Sequence, residues 1–353
     1  MSHTTVAVIG CGTIASSAHI RAYAGNPDAR IKYFCDIVKE KAEKAAAEYG
    51  SGEAIEDYRI ILNDPEVEAV SICTPNHLHA SISIECMRAG KHVLCEKPAA
   101  RTYAEALEMQ KVQHETGRTL NIGVVNRFNA SVNRIKELIE NGELGELYHV
   151  YVSFRAQRSI PGLGGAFTTK AIAGGGALID WGVHFLDIVM YCAGDPKPLT
   201  VSGQTYCKLG KDIPNYTYLN MWAGPPKNSG TYDVDDFVTG MIRTEGPSIS
   251  LNGAWAQNIG VDEMFIDFLG DKAGIRLQYG ADFKLYGARD GMLLETSVKV
   301  PADDMFQNEI NRFLECIRTG EKLPSHIDTV ILSSQIIQAI YDSSDKRAEI
   351  TLS

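Results

Sequence analysis

An apolar run at residues 5–10 passes directly into Gly10-Cys11-Gly12-Thr13-Ile14-Ala15, where a helical stretch opens. This is a G-x-G-x-x-A pattern, and few folds need it. Gly10 lets the chain turn sharply, Gly12 lets backbone approach a pyrophosphate, and the small Ala15 lets helix and strand pack closely. The helix start, with Thr13 and Ile14, offers N–H groups and partial positive charge to phosphates. Glycine-rich turns are common, so the pattern counts only in context. Here a strand precedes it, a helix follows, and an acidic residue, Asp36, closes the second apolar run 21 positions after Ala15. Asp36 is placed to accept hydrogen bonds from adenosine ribose hydroxyls. Its carboxylate would repel a 2′-phosphate, and Ile37 and Val38 bring no arginine to neutralise one. The reading is NAD, with Lys39 and Lys41 keeping NADP open.

The rest of the chain divides into two styles. Apolar, β-branched runs recur at 5–10, 31–36, 69–74, 92–96 and 119–125, separated by helix-like stretches at 39–49, 77–89 and 103–116. That alternation predicts β-α-β units with a parallel sheet covered on both faces. Gly50 and Gly90 read as helix stops. After about residue 126 the pattern changes to a helix at 131–141, a strand at 146–155, a Gly-rich stretch at 159–176 and an apolar helix at 177–191. From residue 199 to about 300 the chain then reads as successive strands with turns, for example 236–243, 248–256, 263–269, 275–279 and 283–286, and helices at about 302–319 and 327–345 close the chain. The expected fold is α/β: an N-terminal Rossmann dinucleotide-binding domain over 1–126, then a C-terminal α+β domain over 127–353 with a large, mostly antiparallel open-faced sheet. The loop 209–233 is too long for a plain turn and reads as a substrate lid or an oligomer contact.

Composition bounds the partners. With 353 residues, roughly two domains are expected. The 44 acidic and 34 basic side chains leave a formal charge of −10, which argues against a nucleic acid or anionic membrane as partner. No stretch approaches the ~20 apolar residues of a membrane span, and the first residues lack the pattern of a signal peptide; a cytoplasmic location is expected. The eight cysteines are scattered, without a C-x-x-C pair, and read as buried free thiols. No metal site is expected, since His184 has no second His or Cys at ligand spacing. His114 and His326 read as surface residues.

Two further motifs follow strand ends: Thr74-Pro75-Asn76-His77-Leu78-His79 and Glu96-Lys97-Pro98. A third, Gly174-Gly175-Gly176-x-x-x-Asp180-x-x-x-His184, opens the apolar helix. Taken together with the fingerprint and Asp36, in this order and over nearly the whole chain, they resemble the Gfo/Idh/MocA oxidoreductase family, which includes sugar, inositol and glucose–fructose oxidoreductases. The resemblance implies a dinucleotide-binding domain followed by an open-faced sheet domain, with the active site between them. It implies Lys97 beside the nicotinamide and the reacting hydroxyl, often before a cis proline, and Asp180 with His184 as a D-x-x-x-H pair. It further implies that Thr74, Pro75, Asn76 and Glu96 line the cofactor, with His79 near the ribose. A homodimer or homotetramer is also implied.

Elementary chemistry agrees. Oxidising an alcohol needs a base for the hydroxyl proton while hydride leaves carbon, and His184 titrates in the right range. Asp180, four residues earlier on an apolar helix, shares its face and can orient the ring or bind a neighbouring hydroxyl. Lys97 would stabilise alkoxide character. The bland alternatives are a solvated lysine and a surface salt bridge, but polar groups on a largely buried helix need partners or a function. Arg127, Arg155, Arg158 and Trp181 are further substrate-site candidates, with interdomain salt bridging an equal reading for Arg127. The expected function is NAD-dependent oxidation of a secondary hydroxyl of a sugar, polyol or glycoside, the partner being a small carbohydrate. Two other readings stay open: glycoside cleavage through transient oxidation by retained NAD, and a non-catalytic NAD-binding regulator.

Overall fold

The computed structural model describes residues 3–219, 221–280 and 282–352. Residues 1 and 2, part of the N-terminal segment read for a signal peptide, lie outside them, as does residue 220 of the long loop. The chain forms two compact units.

The first unit comprises Met1–Phe128 and Asp304–Ile331. Its sheet has strands β1 (Thr4–Ile9), β2 (Ala29–Cys35), β3 (Glu53–Ile55), β4 (Ala69–Ile72), β5 (His92–Glu96) and β6 (Leu120–Gly123), in the order β3-β2-β1-β4-β5-β6. Every neighbouring pair is parallel. β1 and β4 are buried along their whole length, because helices cover both faces and leave no side facing water. One covering layer is the helix over 13–24 (α1), α2 (Lys39–Tyr49) and a C-terminal helix, Met305–Thr319. It contributes Ala18, Tyr23, Ala42, Ile310 and Phe313 to one core. On the other face, α4 (His79–Arg88) and α5 (Tyr103–Thr116) bring Ile82, Cys86, Met109 and Val112, after the short α3 (Arg59–Asn63). Residues 304–331 thus join the first unit, which a single cut after residue 126 does not allow for; the amphipathic face of Met305–Thr319 carries the apolar residues that complete the first of these layers.

The second unit comprises Asn129–Asp303 and Leu332–Ser353. It contains α6 (Ala130–Glu140), α7 (Lys170–Ala173), α8 (Val183–Cys192) and strands β7 (Leu147–Arg155), β8 (Pro198–Tyr206), β9 (Phe237–Thr244), β10 (Ser248–Ala254), β11 (Glu263–Gly270), β12 (Ala273–Gln278), β13 (Phe283–Arg289), β14 (Met292–Val298) and β15 (Ile350–Thr351). The sheet order is β14-β13-β12-β11-β7-β10-β9-β8-β15. All pairs are antiparallel except β7 with β10. Val150, Val152, Phe154, Ile249, Leu251, Ile266 and Phe268 pack against α6 and α8, and alternate residues on these strands face the other side, the half-covered pattern of an antiparallel sheet. Helix α9 is the C-terminal Met305–Thr319 already placed, and α10 (Ile327–Lys346) runs from the first unit into the second.

Several expectations needed correction. The segment Lys170–Cys192 is long and apolar enough to cross a membrane, which the scan for apolar runs missed because its glycines and polar residues interrupt the run. Its most apolar window is 78% buried inside the protein, as the central helix of a core must be. His326 is buried, not on the surface, and burial holds its pKa below the ordinary value; β3 and β15 carry weaker strand signals and were not expected. All eight cysteines are free; seven are buried and Cys207 is half-buried. Within the loop 209–233, Ile213–Asn215 forms a short 3-10 turn. The loop folds back on the Gly-rich stretch: Leu219 N–H donates to Arg158 C=O (3.1 Å) and Lys227 N–H to Leu163 C=O (2.8 Å). The two segments share a small core of Ile160, Leu163, Ile213, Val234 and Trp255.

Candidate active site

In the first unit the fingerprint turn is built as its residues require. Gly10 has φ +92°, and a Cβ there would stand 2.6 Å from the Cys73 carbonyl oxygen. Gly12 is the converse: nothing lies within 4 Å of where its Cβ would stand. The helix then opens with Ser16 N–H donating to Gly12 C=O (3.1 Å). The amides of Thr13, Ile14 and Ala15 precede that first bond, where helix N–H groups lack an acceptor within the helix. Ala15 is fully buried, as close helix–strand packing demands. Residues Ala15–Ile20 are wound as a π-helix, a local irregularity common at functional sites.

Asp36 does more than the sequence reading assigned to it. Its Oδ2 accepts from Cys11 N–H (2.9 Å) and its Oδ1 from Val38 N–H (2.8 Å). One carboxylate therefore ties the end of β2 to the glycine turn and still has lone pairs for ribose hydroxyls. Ile37 beside it is 87% exposed. After β4, Thr74 holds its Oγ1 buried without a hydrogen-bond partner. Pro75 is extended and Asn76 opens a short turn, Asn76–Leu78. The fit to a dinucleotide rests on these features: an open approach at Gly12, unbonded helix-end amides, an orphan hydroxyl at Thr74 and the Asp36 carboxylate.

His79 lies between the two turns that follow β4 and β5. It is 1% exposed, with Nδ1 2.7 Å from Pro98 C=O and Nε2 2.8 Å from Thr74 C=O, and the one N–H of a neutral ring donates to one of them. Burial holds its pKa below the ordinary value, outweighing the two carbonyls. The ring is spent on clamping the Thr-Pro-Asn turn to the Glu-Lys-Pro turn. The Lys97–Pro98 peptide in the latter is cis, as the resemblance implies. Glu96 is buried at the end of β5: its Oε1 meets His19 Nε2 at 2.9 Å, and its Oε2 accepts from Lys97 N–H at 3.1 Å. Burial works against ionisation of Glu96. The hydrogen bond from His19, with Lys97 close by, outweighs it and holds the carboxyl below its usual range.

Arg127 lies in the short turn Val125–Phe128 that follows β6. It is 1% exposed, and its Nη1 donates to Pro324 C=O (2.8 Å) and Thr329 Oγ1 (3.1 Å).

In the second unit, the glycine triplet before the apolar helix has a steric cause. A Cβ on Gly175 would stand 2.0 Å from the Tyr341 hydroxyl, and one on Gly176 1.9 Å from the Asp235 carbonyl oxygen. Asp235, buried, caps the segment. It accepts from Gly176 N–H (2.8 Å), Leu178 N–H (2.9 Å) and Tyr341 O–H (2.7 Å). Burial pushes its pKa up despite these bonds. Leu178–Gly182 is again π-wound and runs into α8. Asp180, buried, lies in that π turn, and the half-buried His184 lies in the first turn of α8, its ring 6.4 Å from that of Tyr279. Trp181 is half-buried against both cores of the unit. Arg155 is engaged by Glu263, to which Nε donates at 3.2 Å. Arg158 donates to the carbonyls of Gln157 and Gln257 at 2.6 Å each and to Asn258. Both arginines therefore have protein partners.

Sequence reasoning missed His19, Asp235 and Glu309. His19 had a signal, a polar residue four positions after Ala15 on the face of α1 that packs on the sheet. Asp235 had a weaker one, an Asp-Asp pair closing the long loop just before β9. Glu309 had none, since its burial depends on the return of the chain to the first unit.

Residues 4–124 match the model of an oxidoreductase family with an NAD-binding Rossmann fold, GFO/IDH/MocA. Residues 132–276 match the C-terminal domain of the same family. The chain belongs to the Gfo/Idh/MocA oxidoreductase family. It is 29% identical over 350 residues to D-glucoside 3-dehydrogenase of Escherichia coli (strain K12), covering 98% of this chain and 97% of that protein. It is 33% identical over 266 residues to levoglucosan dehydrogenase of Pseudarthrobacter phenanthrenivorans, covering 69% and 65%. Among solved structures, levoglucosan dehydrogenase in complex with NADH matches over the full length of both chains with a TM-score of 0.86 at 24% identity, a likeness of fold. This Gfo/Idh/MocA chain thus has the parallel dinucleotide-binding sheet and the antiparallel second sheet of its family.

Proposed function

We propose that this chain is an NAD-dependent dehydrogenase that oxidises a secondary hydroxyl of a sugar, polyol or glycoside. The observation that carries the reading is Lys97. It follows the end of β5 on a turn held by Glu96 at its amide and by His79 at Pro98, so its backbone is fixed before any ligand arrives. In a family of oxidoreductases, such a lysine suits a charge-stabilising role at a reacting oxygen. The two relatives named above are dehydrogenases of sugars by name, which supports the carbohydrate class.

Gly10, Gly12, Thr13, Ile14, Asp36, Thr74, Pro75, Asn76 and Glu96 would hold NAD, which supplies the hydride acceptor when bound. Asp36 favours NAD over NADP, because a carboxylate opposes a 2′-phosphate. His184 takes the proton of the substrate hydroxyl as hydride leaves the same carbon, and Asp180 orients the imidazole or binds a neighbouring hydroxyl. The Lys97 ammonium stabilises the negative charge that builds on the oxygen and fixes the substrate. Trp181 offers an aromatic face to a sugar ring. Arg155 is a weaker candidate, since Glu263 neutralises it.

The test is substitution. Removing a general base costs about 10²–10⁴-fold in rate, so His184→Ala is expected to lose that much. Lys97→Ala is expected to lose about 10²–10³-fold, as for other preorganised charge stabilisers. Wild-type turnover in either folded variant overturns the assignment.

A further inference from the structure

In the first unit, α1, β4 and β5 meet in a buried polar chain. Tyr23 O–H lies 2.8 Å from Ser71 Oγ on β4, and Ser71 Oγ lies 3.2 Å from His19 Nδ1 on α1. His19 Nε2 lies 2.9 Å from Glu96 Oε1 on β5, and Glu96 Oε2 receives the Lys97 amide. Tyr23, Ser71 and His19 are essentially without solvent exposure. Buried polar groups are costly unless bonded, so donors and acceptors must be accounted for. One assignment satisfies every link. Tyr23 donates to Ser71, Ser71 donates to His19 Nδ1, His19 Nε2–H donates to Glu96, and Lys97 N–H donates to the other carboxylate oxygen. The donors then converge on the Glu96 carboxylate, from Tyr23, Ser71 and His19 on one side and from the Lys97 backbone on the other. Glu309 on α9 adds a second buried carboxyl to the same region: it is 1% exposed, and burial together with the Glu96 charge pushes its pKa well up.

We propose that His19 is a positioning residue for Lys97: by fixing the Glu96 carboxylate it sets the backbone of the Glu-Lys-Pro turn relative to the helix that opens at the dinucleotide fingerprint. The inference rests on the reading of Lys97 as catalytic, and it adds a physical tie between the two motifs. His19 lies on the π-wound part of α1, whose N-terminal amides face the phosphate-binding turn. Anything that settles α1 is transmitted through one side chain to the carboxylate that receives the Lys97 amide. Without His19, Glu96 would be a buried carboxylate lacking its partner, free to turn toward another donor.

The experiment reads the Lys97 amide itself, by hydrogen exchange at single-residue resolution on the full chain without ligand. In His19→Leu, exchange at Lys97 is expected to rise about tenfold or more while amides within β1 and β4 keep wild-type protection, the signature of a local opening. His19→Gln retains a donor toward Glu96 and is expected to hold the Lys97 amide within about threefold of wild type. Unchanged exchange at Lys97 in His19→Leu overturns the proposal, as does a rise shared equally by the whole first unit, or a Gln variant as open as the Leu variant. A parallel kinetic measurement expects kcat to fall in His19→Leu with KM for NAD nearly unchanged. The catalytic reading fails separately: full turnover by Lys97→Ala would sink it and leave the exchange result standing.

Discussion

The two fingerprint glycines make opposite demands, so substituting each by alanine separates folding from cofactor binding. At Gly10, alanine would have to adopt φ +92° and place its Cβ 2.6–2.9 Å from three backbone atoms of Cys73 and Thr74. The left-handed backbone costs about 1–2 kcal/mol. Overpacking against a neighbour that cannot rotate away costs about 1–3 kcal/mol more. Together they come to roughly 2–5 kcal/mol, and a domain of this size loses about 2–4 °C of Tm per kcal/mol. Gly10→Ala is therefore expected to lower Tm by about 10 °C. At Gly12 the new methyl meets no protein atom within 4 Å, and substitutions of that kind usually stay within about 0.5 kcal/mol. Gly12→Ala should melt like wild type. Its methyl stands where a pyrophosphate needs close backbone approach, so NADH affinity is expected to fall about tenfold or more. Differential scanning fluorimetry and NADH fluorescence titration read the two effects. A Gly12→Ala protein that binds NADH normally would refute the placement of the phosphates; a Gly10→Ala protein that melts normally would refute the strain argument.

Two further outcomes follow from the charges. Asp36→Ser removes the carboxylate proposed to receive the ribose and is expected to raise kcat/KM with NADP relative to NAD by about tenfold or more; an unchanged ratio would remove Asp36 from cofactor selection. Glu309 has a folded pKa raised well above that of a free carboxyl. The folded state therefore binds more protons than the unfolded one above the usual carboxyl range. Its contribution is present at low pH and lost as pH rises through the folded pKa. Glu309→Gln keeps a neutral group there, so its Tm should gain on wild type as pH increases and match it near pH 4; parallel Tm–pH curves would contradict the burial of an uncharged Glu309. His79, His92 and His326 act in the other direction. Burial lowers their pKa values, so the unfolded chain takes up more protons and both proteins should lose stability as pH falls below about 6.5.

The chemistry-bearing motifs were legible because each sits where a periodic pattern breaks. Gly10-x-Gly12 ends an apolar run, Glu96-Lys97-Pro98 ends another, and the glycine triplet opens the most apolar helix. Periodicity also gave the parallel sheet and most of the antiparallel one. What stayed hidden depends on long-range packing. The carbonyls beside the His79 ring include one from a segment 19 residues away. Arg127 donates to residues 324 and 329. These contacts, and the burial of His326, are ones that no local pattern encodes. The same holds for His19, whose partners Ser71 and Glu96 lie on different strands.

The central claim is that NAD is consumed in oxidising a carbohydrate hydroxyl. It is tested most directly by incubating the purified protein with NAD and a panel of glycosides, sugars and polyols while following NADH and the carbohydrate product together. The expected result is stoichiometric NADH and keto-sugar from at least one member of the panel, with neither formed by His184→Ala. Glycoside cleavage without accumulating NADH would contradict it in favour of retained-cofactor chemistry, and NADH binding without turnover of any member would contradict it in favour of a binding protein.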